Sequence, residues 1–268
     1  MAMAGTRKDA QRFSPPRTVA LNCPSPSLAG TLPAKVYLPA NYSRAHHYRV
    51  IYFLHGLPAG PNAYTLNDFV ADAVAAGPHA AIVVAPQGAR SENSDREYLD
   101  ESATEDWPRA IATDLTRCTD RHYSTIANRS GRALVGLSAG GYGAYNVGLR
   151  NLATFGAVES WSGYFEATDP SGWHVLNLGS PQANAAARVP RDQTLKAELA
   201  KHPTFLGFYV GRQDARFLAD NIAYSNALTA VRVPHLFGIY PGGHSGALWS
   251  RQATAWLGYA LSALAARR

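Results

Sequence analysis

A glycine-flanked serine is the residue whose setting most clearly predicts chemistry. Ser138 lies in the run Gly136-Leu-Ser-Ala-Gly140, the GxSxG pattern that holds a serine hydroxyl on a sharp turn as a nucleophile. The residues two before and two after the serine must be very small, because such a turn brings neighbouring chain close. A β-rich run precedes the pattern and a helical segment follows it, as a nucleophile turn requires. We therefore predict Ser138 as a nucleophile.

A serine nucleophile needs a base, and an acidic residue and then a histidine follow the serine along the chain in this type of site. Asp214 comes directly after an apolar segment, and His244 follows Pro241-Gly-Gly after the next one. Turn-forming residues before His244 predict a loop that brings the imidazole over the edge of a sheet. We expect His244 to be the general base and Asp214 the acid that orients it. Asp220 is the alternative acid, although it falls in a predicted helix.

A tetrahedral oxyanion needs two N–H donors, one from the residue after the nucleophile and one from an earlier strand-to-helix loop. Ala139 supplies the first. The run Val50-Ile-Tyr-Phe-Leu-His-Gly-Leu-Pro58 is a buried strand that breaks at His55-Gly56, and Leu57 is the better second donor because Pro58 has no N–H. His55 as a second catalytic base is the weaker interpretation, since its neighbours indicate a structural turn.

Short β-rich runs alternate with longer segments of helical spacing, which predicts an α/β fold with a mostly parallel central sheet and helices on both faces. The predicted strands are Leu32–Leu38, Arg49–Leu54, Ala80–Ala85, Arg132–Leu137, Ala157–Trp161, Phe205–Val210 and His235–Tyr240. The predicted helices are Asn67–Ala76, Trp107–His122, Gly140–Arg150, Thr194–His202, Arg216–Ala230 and Ala247–Ala266.

A length of 268 residues is routine for a single α/β domain, and we expect one domain over 1–268. Residues 1–17 are predicted to be a flexible N-terminal segment. Residues 164–191 are rich in Gly, Pro, Ser and Asn and contain Trp173 and Leu176 among polar residues. Long irregular loops in compact domains are usually functional or mobile, so we expect this segment to form a cap over the site.

Charge and hydropathy exclude several classes of protein. The 25 lysines and arginines, against 19 acidic residues, are scattered along the chain, so we expect no nucleic-acid partner. No apolar run approaches the roughly 18 residues that span a bilayer, so we expect no stable membrane insertion. The first residues, 1–17, lack the apolar middle of a signal peptide, although removal of an export signal would leave a similar start.

The two cysteines, Cys23 and Cys118, are too few for a disulfide scaffold and lack metal-ligand spacing. We expect two separate thiols. The alternative is a single disulfide between the first strand region and a helix, which would favour an exported protein. No cofactor and no metal are predicted.

In the segments around Ser138, Asp214, His244 and the proposed oxyanion loop, the chain resembles the esterase D-like branch of the α/β hydrolases. This branch includes enterochelin esterases, feruloyl esterases and mycolyltransferases. The resemblance implies the α/β-hydrolase fold and a metal-free acyl-enzyme mechanism on esters of sugars, envelope lipids or aromatic acids. It covers most of the chain, and its serine and histidine segments are the specific ones. The landmarks are Val36-Tyr-Leu-Pro39, Tyr52-Phe-Leu-His-Gly56, Asp114-Leu115, His122-Tyr123, Gly136-Leu-Ser-Ala-Gly-Gly141, Trp161-Ser-Gly163, Gly211–Asp214 and Gly242-Gly-His244.

Some segments depart from the branch, and others extend the resemblance. Ala59-Gly-Pro-Asn62 stands where mycolyltransferases carry an acidic sugar-binding run, so trehalose is not favoured as acceptor. Ala139 replaces the methionine that usually follows the serine in formylglutathione-type hydrolases. Tyr98, Asp100 and Trp107 resemble the pocket-edge segment that faces the serine. Packing in a surface loop and helix is the alternative for these side chains. Trp173 joins them as a candidate substrate contact.

We therefore predict a serine esterase acting on a small-molecule or glycolipid ester. A cell-envelope acyltransferase that passes the acyl group to a sugar hydroxyl is the first alternative. A non-catalytic glycan- or protein-binding protein of the same fold is the second, and a peptidase is the third. We expect an extracellular or cell-envelope location, with the cytoplasm as the alternative. The sequence does not predict the oligomeric state.

Overall fold

The computed structural model describes residues 14–57, 60, 62–88, 98–99, 102–168, 174, 176–177 and 193–266. Its centre is an eight-stranded sheet with the order β1-β2-β4-β3-β5-β6-β7-β8. The pairs β1–β2 and β2–β4 are antiparallel, and every pair from β4 to β8 is parallel. The strands are β1 Arg17–Ser25, β2 Gly30–Leu38, β3 Arg49–Leu54, β4 Ala81–Pro86, β5 Arg132–Leu137, β6 Ala157–Trp161, β7 Phe205–Gly211 and β8 Leu236–Tyr240.

The helices cover both faces of this sheet, as predicted. They are α1 Asp68–Ala76, α2 Trp107–Arg109, α3 Thr116–His122, α4 Ala139–Arg150, α5 Gln193–Lys201, α6 Leu218–Ala230 and α7 Gly246–Ala265. A π-helical segment, Ala110–Leu115, joins α2 to α3, so the predicted helix Trp107–His122 is continuous but not uniformly α-helical.

Alternate residues of the central strands feed two cores, one on each face. In β3, Ile51 and Phe53 pack with α1 and α7, whereas Val50 and Tyr52 pack with α4 and the π-helical segment. Side chains alternate between the faces of a strand, so a strand that is covered on both sides is apolar throughout. All four residues are fully buried. This burial makes the sheet a rigid platform for the loops at its ends.

The chain leaves β3 for β4 on one side and later enters β5 on the other. Such a reversal of direction opens a crevice at the carboxyl ends of the two strands, where ligands bind in open α/β sheets. The loops after β3, β5, β7 and β8 all leave the sheet at this edge. Residues 55–57, Ser138, Asp214 and His244 lie on these loops.

The N-terminal hairpin corrects two predictions. Arg17, which is predicted to lie in the flexible segment, begins strand β1, whereas the first predicted strand starts at Leu32. Cys23 of β1 and Cys118 of α3 form a disulfide, so the expectation of two separate thiols is wrong. Both cysteines are fully buried. Residues 1–13 and most of the predicted cap, 169–173, 175 and 178–191, lie outside the described residues.

Candidate active site

Ser138 occupies the sharp turn between β5 and α4. Its backbone has φ 53° and ψ −123°, a conformation that costs free energy for any residue with a side chain. A methyl group on Gly136 would lie 2.1 Å from the Gly140 carbonyl oxygen, and one on Gly140 would lie 2.1 Å from the Leu54 carbonyl oxygen. Both positions therefore require glycine, as the GxSxG pattern predicts.

Ser138, His244 and Asp214 form a hydrogen-bonded line. His244 Nε2 lies 2.9 Å from Ser138 Oγ, and His244 Nδ1 lies 2.8 Å from Asp214 Oδ2. Because Asp214 Oδ2 accepts the Nδ1 proton, Nε2 is left to accept the serine hydroxyl proton. The Asp214 side chain is 1% exposed and that of His244 15% exposed, so the carboxylate is shielded while the imidazole meets the crevice. This arrangement can move a proton from Ser138 to His244.

The loops that carry the acid and the base are tied to each other. The Arg212 N–H donates to the Tyr240 carbonyl, and the Gln213 N–H donates to the Gly242 carbonyl, at 2.8 and 3.0 Å. Gln213 Oε1 accepts the Gly242 N–H at 2.6 Å. Gly242 has φ 131°, which a residue with a side chain rarely adopts. These bonds fix the distance between the Asp214 turn and the His244 turn.

Asp220, the alternative acid, has a different partner. It lies in α6, and its Oδ2 accepts the N–H of Phe165 at 2.9 Å. Asp214 is the carboxylate that contacts His244.

Among the described residues, two aromatic rings that the sequence did not predict flank His244. The Phe217 ring lies 5.3 Å from the imidazole, and the Trp249 ring meets it edge to face at 5.1 Å. Tyr164 stacks on Phe217 at 4.7 Å. Trp249 lies five residues after His244, at the start of α7, and this proximity along the chain was the available signal. The rings limit the rotation of the imidazole.

The two predicted oxyanion donors lie next to Ser138. A methyl group on Gly56 would be 2.9 Å from Ser138 Cβ, so the loop that carries Leu57 runs directly beside the serine. Leu57 is half-buried. Ala139 is the first residue of α4, and the first N–H groups of a helix have no partner within the helix.

His55 is a buried histidine whose ring nitrogens both contact backbone groups. The Gly88 N–H donates to Nε2 at 2.9 Å, so the ring proton is on Nδ1, which lies 3.0 Å from the Gly56 carbonyl oxygen. Burial lowers the pKa of His55, and the bond to Gly56 opposes this shift. The ring is therefore held neutral, and neither nitrogen is available for proton transfer with a substrate.

Two of the candidate substrate contacts, Tyr98 and Trp107, lie among the described residues. Tyr98 and Trp107 are buried in the core, with their rings edge to face at 6.4 Å. The packing interpretation therefore fits their positions. Asp100 and Trp173 lie outside the described residues.

Within the described part of the chain, no group of three or more His, Cys, Asp or Glu side chains is placed to hold a metal ion. Nor does any described helix have both the length and the hydropathy to cross a bilayer.

Comparison with known proteins identifies related chains. A family model described as "Putative esterase" matches residues 25–259. A structure described as a ferulic acid esterase aligns with a TM-score of 0.75 at 22% identity, over 94% of this chain and 99% of that chain. The fluorophosphonate-binding serine hydrolase FphF of Staphylococcus aureus aligns with a TM-score of 0.71 at 20% identity, over 92% and 99%. MPT51 of Mycobacterium tuberculosis aligns with a TM-score of 0.68 at 19% identity, over 92% and 99%. The shared α/β-hydrolase fold confirms the predicted fold class.

Proposed function

The chain belongs to the esterase family, and we propose that it is a serine esterase with Ser138 as nucleophile, His244 as general base and Asp214 as orienting acid. Membership of this family confirms the predicted resemblance and makes the protein an enzyme of ester hydrolysis or acyl transfer. The observation that carries the finer proposal is the hydrogen-bonded line from Ser138 through His244 to Asp214, with distances of 2.9 and 2.8 Å.

In the proposed mechanism, Ser138 Oγ attacks the ester carbonyl carbon while His244 Nε2 takes the hydroxyl proton. Asp214 holds the imidazole in the correct tautomer and stabilises its cation. The N–H groups of Leu57 and Ala139 stabilise the tetrahedral oxyanion. When the tetrahedral intermediate collapses, the ester C–O bond breaks and the leaving oxygen takes the proton from His244. The alcohol departs, and the acyl group remains on Ser138. Water, activated by His244, then releases the acid.

The strained turn at Ser138 supports this proposal independently. Backbone strain of this kind costs about 1–3 kcal/mol and persists where the surrounding structure requires it. The turn points Ser138 Oγ at His244 and places the serine at the start of α4, where the partial positive charge of a helix N-terminus favours an oxyanion. Strain of this kind is concentrated at active sites, and here it falls on the residue that contacts His244.

Turnover of p-nitrophenyl acetate and butyrate by the wild type and by Ser138→Ala tests the proposal. We expect the variant to lose about 10⁴-fold or more in kcat, because the acyl-enzyme can no longer form. Circular dichroism and thermal melting of the variant would show that the fold is retained. Unchanged turnover by a folded Ser138→Ala protein would refute the proposal.

Hydrolysis and acyl transfer share the acyl-enzyme and differ in what resolves it. We propose hydrolysis, because no acceptor site can be identified among the described residues. Product analysis with and without added sugars separates the two. Free acid as the main product in the presence of the sugar supports hydrolysis, and acylated sugar as the main product would identify a transferase instead.

The proposed substrates are small-molecule or glycolipid esters with glycan, lipid or aromatic acyl groups. The likeness to a structure described as a ferulic acid esterase makes aromatic acyl esters the first set to assay. Comparison of kcat/KM for acetyl, octanoyl and cinnamoyl esters ranks these groups, and values within about twofold of each other would argue against selection by the acyl chain.

We propose that the protein acts outside the cytoplasm. The buried Cys23–Cys118 disulfide supports this location, because disulfides persist in oxidising compartments and are rare in the cytosol. Thiol titration of the denatured protein isolated from its source should find no free cysteine. Two free thiols under alkylating lysis would contradict the proposal.

A further inference from the structure

Tyr98 lies beneath the loop that carries the proposed oxyanion donor Leu57. The Tyr98 hydroxyl donates to the carbonyl oxygen of His55 at 2.9 Å, and the two rings lie 6.0 Å apart. Tyr98 is fully buried, so this bond forms away from water. Neither residue belongs to the hydrogen-bonded line of Ser138, His244 and Asp214.

Two glycines make room for the Tyr98 ring. A methyl group on Gly88 would lie 2.3 Å from the Tyr98 hydroxyl oxygen, and one on Gly143 would lie 2.4 Å from its Cδ2. The Tyr98 backbone has φ 60°, and its carbonyl accepts from Asn146 Nδ2 at 3.3 Å. The ring is therefore held in one position between the end of β4 and helix α4.

His55 fixes the peptide group that contains the proposed donor. The Gly56 carbonyl and the Leu57 N–H belong to one planar peptide unit and point in opposite directions. The bond from His55 Nδ1 to the Gly56 oxygen therefore sets the direction of the Leu57 N–H. On the other side of the ring, the Gly88 N–H holds Nε2 and prevents the imidazole from turning.

We propose that Tyr98 and His55 are positioning residues that aim the Leu57 N–H at the oxyanion. Tyr98 holds the His55 backbone, His55 holds the Gly56–Leu57 peptide, and the Gly88 N–H fixes the ring between them. This inference rests on the proposed esterase mechanism and adds a role for residues that do not touch the substrate. It also replaces the pocket-edge role predicted for Tyr98.

The test compares Tyr98→Phe with Tyr145→Phe. Tyr145 is a matched control: it is also fully buried, and its hydroxyl donates to a backbone carbonyl, that of Gly207, at 3.2 Å. Both substitutions remove one buried hydroxyl and keep the ring. Only the first removes a bond to the oxyanion loop.

The readouts are the acylation rate with p-nitrophenyl butyrate, the substrate dissociation constant from pre-steady-state kinetics, and the affinity for a trifluoromethyl ketone. Loss of one well-placed oxyanion donor costs about 10²–10³-fold in rate, so a misaimed donor should cost Tyr98→Phe about tenfold. Affinity for the ketone, whose adduct with serine carries an oxyanion, should fall by the same factor. The substrate dissociation constant should stay within about twofold, as expected for a donor that acts in the transition state.

His55→Gln should give a larger loss of about 10²-fold in both acylation rate and ketone affinity, because the bond to Gly56 itself is weakened. Equal acylation rates in Tyr98→Phe and Tyr145→Phe would overturn the inference while leaving the esterase proposal intact. An unreactive wild type would instead refute the esterase proposal.

Discussion

His55 and His244 lie on opposite sides of Ser138 at the same edge of the sheet, and their ring nitrogens contact different kinds of group. Those of His55 contact the Gly56 carbonyl and the Gly88 N–H, which cannot exchange protons. Those of His244 contact the Asp214 carboxylate and the Ser138 hydroxyl, which can. Residue type alone does not distinguish a base from a structural tie. The hydrogen-bond partners of each ring nitrogen determine which of the two roles a histidine can have.

The same substitution at both histidines gives the sharpest contrast. We expect His244→Gln to lower kcat by about 10⁴–10⁶-fold, because glutamine cannot accept the serine proton. His55→Gln should lower it by only about 10²-fold, since the base is intact and one oxyanion donor is misaimed. Steady-state kinetics on p-nitrophenyl esters measure both. Equal losses would remove the distinction between base and positioning residue.

Asp214→Asn tests whether the carboxylate on the far side of His244 sets the tautomer of the imidazole. The amide keeps the shape of the carboxylate but can donate its N–H to Nδ1. The ring proton would then lie on Nε2, which could no longer accept the Ser138 proton. We expect kcat to fall by about 10⁴-fold. Asp220→Asn is the control and should leave turnover within about tenfold of the wild type, because Asp220 bonds to Phe165. A larger loss of kcat in Asp220→Asn than in Asp214→Asn would show that Asp220, and not Asp214, is the orienting acid.

Neither cysteine of the disulfide is a hydrogen-bond partner given above for His55 or His244, so its loss should affect stability rather than chemistry. It spans 95 residues and joins the N-terminal hairpin to α3. Removing it by Cys23→Ser with Cys118→Ser should lower the free energy of unfolding by about 2–5 kcal/mol. Urea denaturation measures this change, and turnover at 15 °C should stay within about twofold. A large loss of turnover in the folded double variant would mean that the hairpin supports the sheet edge.

Trp249 tests how far the setting of His244 depends on ring packing. Edge-to-face aromatic contacts contribute about 0.5–1.5 kcal/mol, so Trp249→Ala should lower kcat by up to about tenfold as the imidazole becomes free to rotate. Trp249→Phe should recover most of this loss. Comparable losses in the two variants would show that the ring contact at 5.1 Å does not position the base.

The smallest effect concerns the pH dependence of stability. Burial lowers the pKa of His55 below its usual value of 6.5, so the folded protein resists the proton that the unfolded chain accepts. Stability therefore falls as pH drops through about 6.5 towards the folded-state pKa. His55→Gln lacks this contribution, and its melting temperature should fall less than that of the wild type between pH 7 and pH 5. Parallel curves would mean that His55 titrates as an exposed histidine.

The sequence predicted the regular part of the fold because its signals are local. The β-rich runs Arg49–Leu54, Arg132–Leu137 and Ala157–Trp161 became strands with the predicted bounds. Strand β1 was missed because its first four residues are exposed, so apolar alternation begins only near Leu21. The disulfide was not predicted because its cysteines meet only in the folded chain.

The candidate site divides in the same way. Ser138, Asp214 and His244 each follow a recognisable strand and turn, so their order along the chain sufficed to select them. Tyr98 carried a family resemblance but no sign that its hydroxyl would reach the His55 carbonyl. Contacts of this kind join segments that are distant in sequence, and no spacing rule predicts them.

Covalent labelling of Ser138 tests the central claim most directly. The wild type, His244→Gln and Ser138→Ala would each be incubated with a fluorophosphonate and the adduct mapped by peptide mass spectrometry. The account predicts rapid labelling of the wild type on Ser138 alone, labelling slowed by at least about 10³-fold in His244→Gln, and none in Ser138→Ala. An adduct on another serine, or equal labelling of the wild type and His244→Gln, would contradict it.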